Sequence, residues 1–121
     1  MTAALIDGSA QAIVEAVRTG AASAREIAEE TLNRIKSRNS ALGAFTDVTA
    51  GRALARADAI DAARARGLSL GPLAGAPFAV KNLFDIEGLP TRAGSRINRD
   101  RPPARADATA LARLGAHRLA R

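Results

Sequence analysis

The chain carries sixteen Arg but only two Lys, Lys36 and Lys81. Arginine stays protonated under almost all conditions, whereas a lysine amine can be pushed neutral by burial and can then accept a proton. Lys81 directly follows the apolar run Pro77-Phe78-Ala79-Val80. That run predicts a short strand with the amine at its end, where loops and active sites gather. A strand-end lysine that lays its stem on apolar surface and extends its amine into water accounts for the same residues without any chemistry. On residue type alone this plainer reading stands ahead.

Few other side chains compete. Ser95 has one glycine neighbour, Gly94, with no second serine nearby and no glycine cluster to form an oxyanion hole, so it is not read as a nucleophile. His117 is the one histidine and there is no cysteine, which excludes disulfides, thiolate metal sites and a multi-histidine metal site. His117 itself reads as an exposed tail residue. No residue set calls for a metal or a cofactor.

Three helices precede this region. The first is predicted over Ser9–Thr19, with Ile13, Val14 and Val17 on one side and Gly20 as its stop. The second opens on a capping box, Ser23-Ala-Arg-Glu26, and carries Ile27, Ala28, Thr31, Leu32 and Ile35 at helical spacing. Glu30 and Arg34 face each other at i,i+4 on its wet side, and Asn39-Ser40 closes it. Leu42-Gly-Ala-Phe45-Thr46 reads as a short strand. The third helix runs from about Thr49 to Arg66, buries Ala53, Leu54, Ala57 and Ile60, and ends at Gly67. From Gly67 to Pro103 glycine and proline are frequent and helical period is absent, so loops surround the lysine strand. A last helix is expected to start near Asp107, which could cap it, and carries Leu111 and Leu114.

The 121 residues suit one small domain or a piece of a larger one. The apolar share leans on alanine, with three Phe and no Trp or Tyr. Alanine favours helix but removes little apolar area from water, so a weak core is expected. No apolar run approaches the roughly 20 residues of a membrane span, and no basic stretch opens the sequence as in a signal peptide. A cytoplasmic protein is expected. Residues 1–89 hold ten basic and ten acidic side chains, while residues 90–121 hold eight Arg against Asp100 and Asp107. An excess confined to one quarter of the chain suits an anionic partner, or acidic groups on chain not present here. The lack of aromatic residues in that quarter argues against nucleic acid.

The segment Gly71-Pro-Leu-Ala-Gly75-Ala-Pro-Phe-Ala-Val80-Lys81-Asn82 is similar to the stretch around the catalytic lysine of the amidase signature family. The likeness continues through Gly88-Leu-Pro-Thr-Arg-Ala-Gly-Ser95, Pro102-Pro103 and Ala106-Asp-Ala-Thr109. It extends to Gly20-Ala-Ala-Ser23-Ala-Arg-Glu26 and Ala44-Phe45, and so covers nearly the whole chain. Within the family it is nearest the 1-carboxybiuret hydrolase group and its amidotransferase-like relatives.

The resemblance implies an α/β fold, with these helices outside a mixed sheet whose first strand or strands are present. Residues 1–66 would form an N-terminal helical segment, and residues 67–121 the incomplete start of the core. It implies a small-molecule amide as substrate, no cofactor, and a small helical partner subunit, and it leaves a homo-oligomer open. In the implied mechanism a serine attacks the amide carbonyl, and a second serine in a cis peptide relays its proton to Lys81. The amine must be neutral to receive that proton, so the site must desolvate it. The family's serines belong to a Gly-Gly-Ser-Ser-type segment that this sequence does not contain, so the isolated chain is expected to be inactive.

Two departures stand out. Asn82 occupies a position where the family usually has Asp, which weakens any network carried over around Lys81. Leu114-Gly115-Ala116 runs into His117-Arg-Leu-Ala-Arg121 where the family continues into an apolar strand, so a truncation or a frameshifted end is expected. Two other readings remain: a component of a tRNA-dependent amidotransferase, and a small basic module that binds protein or nucleic acid.

Overall fold

The structure, a computed structural model, describes residues 2–116. Five α-helices are present among them: α1 Thr2–Ile6, α2 Ala10–Thr19, α3 Ala24–Leu42, α4 Ala50–Ala65 and α5 Thr109–Ala116, with a 3-10 turn at Arg96–Asn98. The described residues form two compact units, 2–77 and Phe78–Ala116.

The first unit is built on α1 to α4. Ser9 caps α2 by accepting the Ala12 N–H at 3.1 Å, and Gly20 ends it at φ 81°. The capping box of α3 forms as expected: Ser23 Oγ accepts the Glu26 N–H at 3.0 Å, and Glu26 accepts the Ser23 N–H at 2.8 Å. A feature not foreseen completes that terminus. The Asp61 carboxylate, on α4, accepts the N–H groups of Ala24 at 2.8 Å and Arg25 at 3.0 Å. The free N–H groups at the start of α3, from Ser23 to Glu26, are thereby all satisfied, and two of them meet a distant anion at the positive end of the helix.

Ile13, Ala16, Val17, Ile27, Ala57 and Ile60 are buried together, with Ala22, Ala24 and Ala74 between them. The apolar stripe of α4 is shifted one turn from its expected span, burying Ala57, Ile60 and Ala63 and leaving Ala53 and Leu54 half-exposed. Gly75 has φ 82°, and a Cβ there would meet Val17 Cγ2 at 2.6 Å. Glycine is therefore required twice over, by backbone conformation and by close approach. Arg34 pairs with Glu30 as the spacing predicts, at 3.3 Å, and also binds both Asp7 carboxylate oxygens and the Ala3 carbonyl. The hydrogen bond from Arg34 holds the Asp7 carboxyl below its ordinary range.

Several expectations need correction. Helix α1 lies before the first predicted helix. Asn39-Ser40 does not close α3, because Ala41 and Leu42 continue it and Gly43 supplies the left-handed stop at φ 59°. The predicted strand at Leu42–Thr46 is instead a helix end and a loop. The Asn39 side chain accepts the Phe45 N–H at 2.8 Å and donates to the Phe45 carbonyl at 2.9 Å, which replaces ladder bonds with a local clasp.

The second unit is mostly loop. Among the described residues there is no strand, so neither the Pro77–Val80 strand nor the mixed sheet is seen. A strand is defined by a pairing partner, and among the described residues of this unit the β-type pairing is an isolated parallel bridge, Glu87 to Ala104. Around it Gly88 N–H donates to the Ala104 carbonyl and Ala104 N–H to the Leu89 carbonyl, each at 2.9 Å. Helix α5 begins at Thr109, two residues after Asp107, whose carboxylate accepts the Glu87 N–H at 2.9 Å. Leu111 is buried and Leu114 half-buried. No helix among the described residues is long and apolar enough to cross a membrane.

Candidate active site

Lys81 lies in the second unit with an exposed side chain. Its carbonyl accepts the Phe84 N–H at 3.1 Å, so the lysine opens a tight turn instead of ending a paired strand. Nothing among the described residues removes the amine from water.

The next residue does the positioning. Asn82 Oδ1 accepts the Arg92 N–H at 2.6 Å and the Ala93 N–H at 3.3 Å, while Asn82 Nδ2 donates to the Pro90 carbonyl at 3.4 Å. The Asn82 main-chain carbonyl also accepts the Ala93 N–H, at 3.0 Å. Ala93 has φ 49°, a conformation that costs a residue with a Cβ on the order of 1 kcal/mol or more. The acceptors of Asn82 hold it there. The amide thus does two things that one carboxylate could not, accepting from the N–H groups of Arg92 and Ala93 and donating to the Pro90 carbonyl. Asn82 thus has partners of its own, and the Lys81 amine is not one of them. It fastens the 90–93 loop to the residue adjoining the lysine.

Other contacts extend this frame. The Arg92 carbonyl accepts from Ser95 N–H and from Asn98 Nδ2, both at 3.0 Å. Thr91 Oγ1 donates to Asp85 Oδ1 at 2.5 Å. Asp85, Thr91 and Arg101–Arg105 line an open groove of about 270 Å³ that Lys81 does not reach. Ser95 is half-buried, engaged through its backbone, and not hydrogen-bonded to Lys81. His117 lies outside the described residues. Among the described residues no three His, Cys, Asp or Glu side chains converge as a metal would need.

Asp85 and Thr91 were not singled out by sequence reasoning, and Asn82 was noted only as a departure from the family pattern. The available signal was their placement on either side of Gly88-Leu89-Pro90, a turn that folds 82–85 back against 91–93.

The family model for Amidase matches residues 26–118. The chain belongs to the Amidase family. It is 57 % identical over 104 residues to AtzE, a 1-carboxybiuret hydrolase subunit of Pseudomonas sp. (strain ADP), covering 86 % of this chain and 23 % of AtzE. It is 44 % identical to a glutamyl-tRNA(Gln) amidotransferase subunit of Bdellovibrio bacteriovorus, over 84 % of this chain and 20 % of that protein. Two solved structures, one inhibitor-bound, match with TM-score 0.85 and 56 % identity over 87 % of this chain and 23 % of theirs. They are described as an unexpected vestigial protein complex that reveals the evolutionary origins of an s-triazine catabolic enzyme. This chain spans about a quarter of the length of the relatives it matches.

Proposed function

We propose that this chain contributes the proton-accepting lysine, Lys81, of an amidase that hydrolyses the C–N bond of a small linear amide. The observation that carries this reading is the setting of Lys81 within Gly71–Ser95, inside a stretch 57 % identical to a 1-carboxybiuret hydrolase subunit. In the proposed reaction a serine hydroxyl adds to the amide carbonyl and its proton passes through a second serine to the Lys81 amine. Collapse of the tetrahedral adduct expels the leaving amine, which takes that proton back along the same relay, and water then adds to the seryl ester, giving a proton to the relay, so that the acid leaves and the serine is restored. A general base of this kind supplies roughly 10²–10⁴-fold in rate.

Neither serine segment is in this sequence, and Lys81 is exposed. Both the nucleophile and the desolvation must therefore come from protein outside these residues, within an α/β fold with a mixed sheet. The isolated chain is accordingly inactive. A small helical partner subunit fits the same reading, since the similar structures are described as a complex. The amidotransferase reading is supported by the glutamyl-tRNA(Gln) amidotransferase relatives, at lower identity than AtzE.

The test has two arms. Ammonia release from 1-carboxybiuret and simple amides is measured for the purified chain and for AtzE in which this chain replaces the matching quarter. Activity in the chimera alone supports the proposal. Activity in the isolated chain, or a folded chimera indifferent to Lys81→Ala, refutes it.

A further inference from the structure

The turn after Lys81 presents Leu83 and Phe84 to solvent, at 47 % and 43 % exposure. Ile97, on the 3-10 turn, is 90 % exposed, the most of any large apolar side chain described. These positions are fastened to one another. Asn82 binds Arg92 and Ala93, and the Arg92 carbonyl binds Asn98. Arg92, Arg96 and Arg99 stand beside them, without ion pairs among the described residues. The ion pairs described, by contrast, all lie in the first unit.

We propose that Leu83, Phe84 and Ile97, with Arg92, Arg96 and Arg99 around them, form a docking surface whose occupant is the remaining part of an Amidase-family core. That core would present an apolar centre with acidic groups at its margin. The identification rests on the amidase reading above and on length. Solved chains that share this fold at TM-score 0.85 carry more than three quarters of their residues outside the matched stretch. The Ile97 side chain, bare between Arg96 and Arg99, adds nothing to the stability of the second unit itself, because burial is what makes an apolar side chain favourable. The same surface borders Lys81, so its occupant is also what would take the amine out of water.

The sequence has no cysteine, so a thiol placed on this surface reports its exposure. Ile97→Cys and Leu83→Cys are introduced separately into this chain and into the AtzE chimera. Alkylation at each site is followed by peptide mass spectrometry. Labelling slowed about tenfold or more in the chimera supports the proposal, since thiol reactivity follows exposure. Equal labelling in both refutes it, as does a chimera that fails to unfold cooperatively, because the surface then does not accept that core. Protection in the isolated chain that rises with its concentration also refutes it, since the occupant would be a second copy. None of these readouts uses catalysis. A Lys81→Met chimera that keeps the protection but has no activity separates the surface from the reaction.

Discussion

The side-chain oxygen of Asn82 accepts the backbone N–H of Arg92 at 2.6 Å, while its nitrogen donates to the Pro90 carbonyl at 3.4 Å. An aspartate at this position retains the acceptor and loses the donor; an alanine loses both. Asn82→Asp is expected to cost about 1 kcal/mol and Asn82→Ala about 2 kcal/mol, from the usual worth of such bonds and the penalty of unpaired groups. Amide exchange at Arg92 and Ala93 tells them apart. It should accelerate in the alanine variant and stay near the parent rate in the aspartate variant. Unchanged exchange in Asn82→Ala would show that the loop holds itself.

Gly75 sits against Val17, which is fully buried, with a hypothetical Cβ 2.6 Å from Val17 Cγ2 and φ 82°. Gly75→Ala therefore meets a backbone penalty and a steric one, and should destabilise by about 2–3 kcal/mol. Val17→Ala alone should cost about 1–3 kcal/mol for the methyl groups removed. In the double variant the clash is relieved but the φ penalty remains, so the losses should sum to less than the two singles. Denaturant midpoints of the four proteins test this. Strict additivity would mean the two residues are not in the close contact described.

Much of the first unit could be read from residue order. Gly20 and the Ser23–Glu26 box act within one turn of chain, so their signals are local, and α2 ends and α3 begins where those signals place them. Asn39 misled because its side chain serves the backbone at Phe45, while the helix runs on to Gly43. The Asp61 clasp on α3 spans 36 to 37 positions and leaves no pattern in the sequence. The strand at Pro77–Val80 was inferred from apolar character, yet a strand exists only through a partner, and no ladder reaches it among the described residues. Lys81 was singled out by resemblance to the Amidase family; residue type alone pointed to an ordinary strand-end lysine. Asn82 was read as a loss because an isolated substitution does not disclose that its amide has both a donor and an acceptor to use.

Asp61 lies on α4 but binds the first two N–H groups of α3. Asp61→Ala frees two partly buried donors and removes an anion from the positive helix end. The expected loss is about 2–4 kcal/mol, because bonds to a charged group are the stronger kind. Asp61→Asn keeps a single acceptor oxygen and should fall between parent and alanine. Thermal unfolding followed by helical circular dichroism measures the order. Equal Tm values for Asp61→Ala and the parent would show that water replaces the carboxylate without loss.

Acid should loosen the first unit at two carboxylates. The Glu26 carboxyl is held below its ordinary 4.5 by the Ser23 backbone N–H and then by its hydroxyl, and Asp7 below its ordinary 3.8 by the hydrogen bond from Arg34. Each folded pKa lies below the unfolded one, so the unfolded chain binds more protons across this range. The contribution is complete above the unfolded value and is lost as pH falls through the folded value. Tm should therefore be flat at neutral pH and decline from about pH 4.5 downward, since that is the unfolded glutamate value. Glu26→Gln should lower Tm at pH 7 and shallow the acid slope. A slope unchanged by Glu26→Gln and Asp7→Asn together would place the acid sensitivity elsewhere.

The role proposed for Lys81 separates cleanly from that of a fixed positive charge. A proton acceptor must shed its own proton, whereas a charge that stabilises an anion must keep it. Arginine retains charge and reach but does not deprotonate in proteins. In the AtzE chimera, Lys81→Arg should therefore lose as much activity as Lys81→Ala, about 10²–10⁴-fold, the usual share of general acid–base catalysis. Had the amine served by charge alone, arginine would restore part of the rate that alanine loses. The second lysine provides the control: Lys36 lies on α3, in the first unit, and Lys36→Arg should leave kcat/KM unchanged. Partial rescue by Lys81→Arg, with alkylation showing the chimera's core in place, would assign Lys81 to electrostatic stabilisation instead of proton transfer.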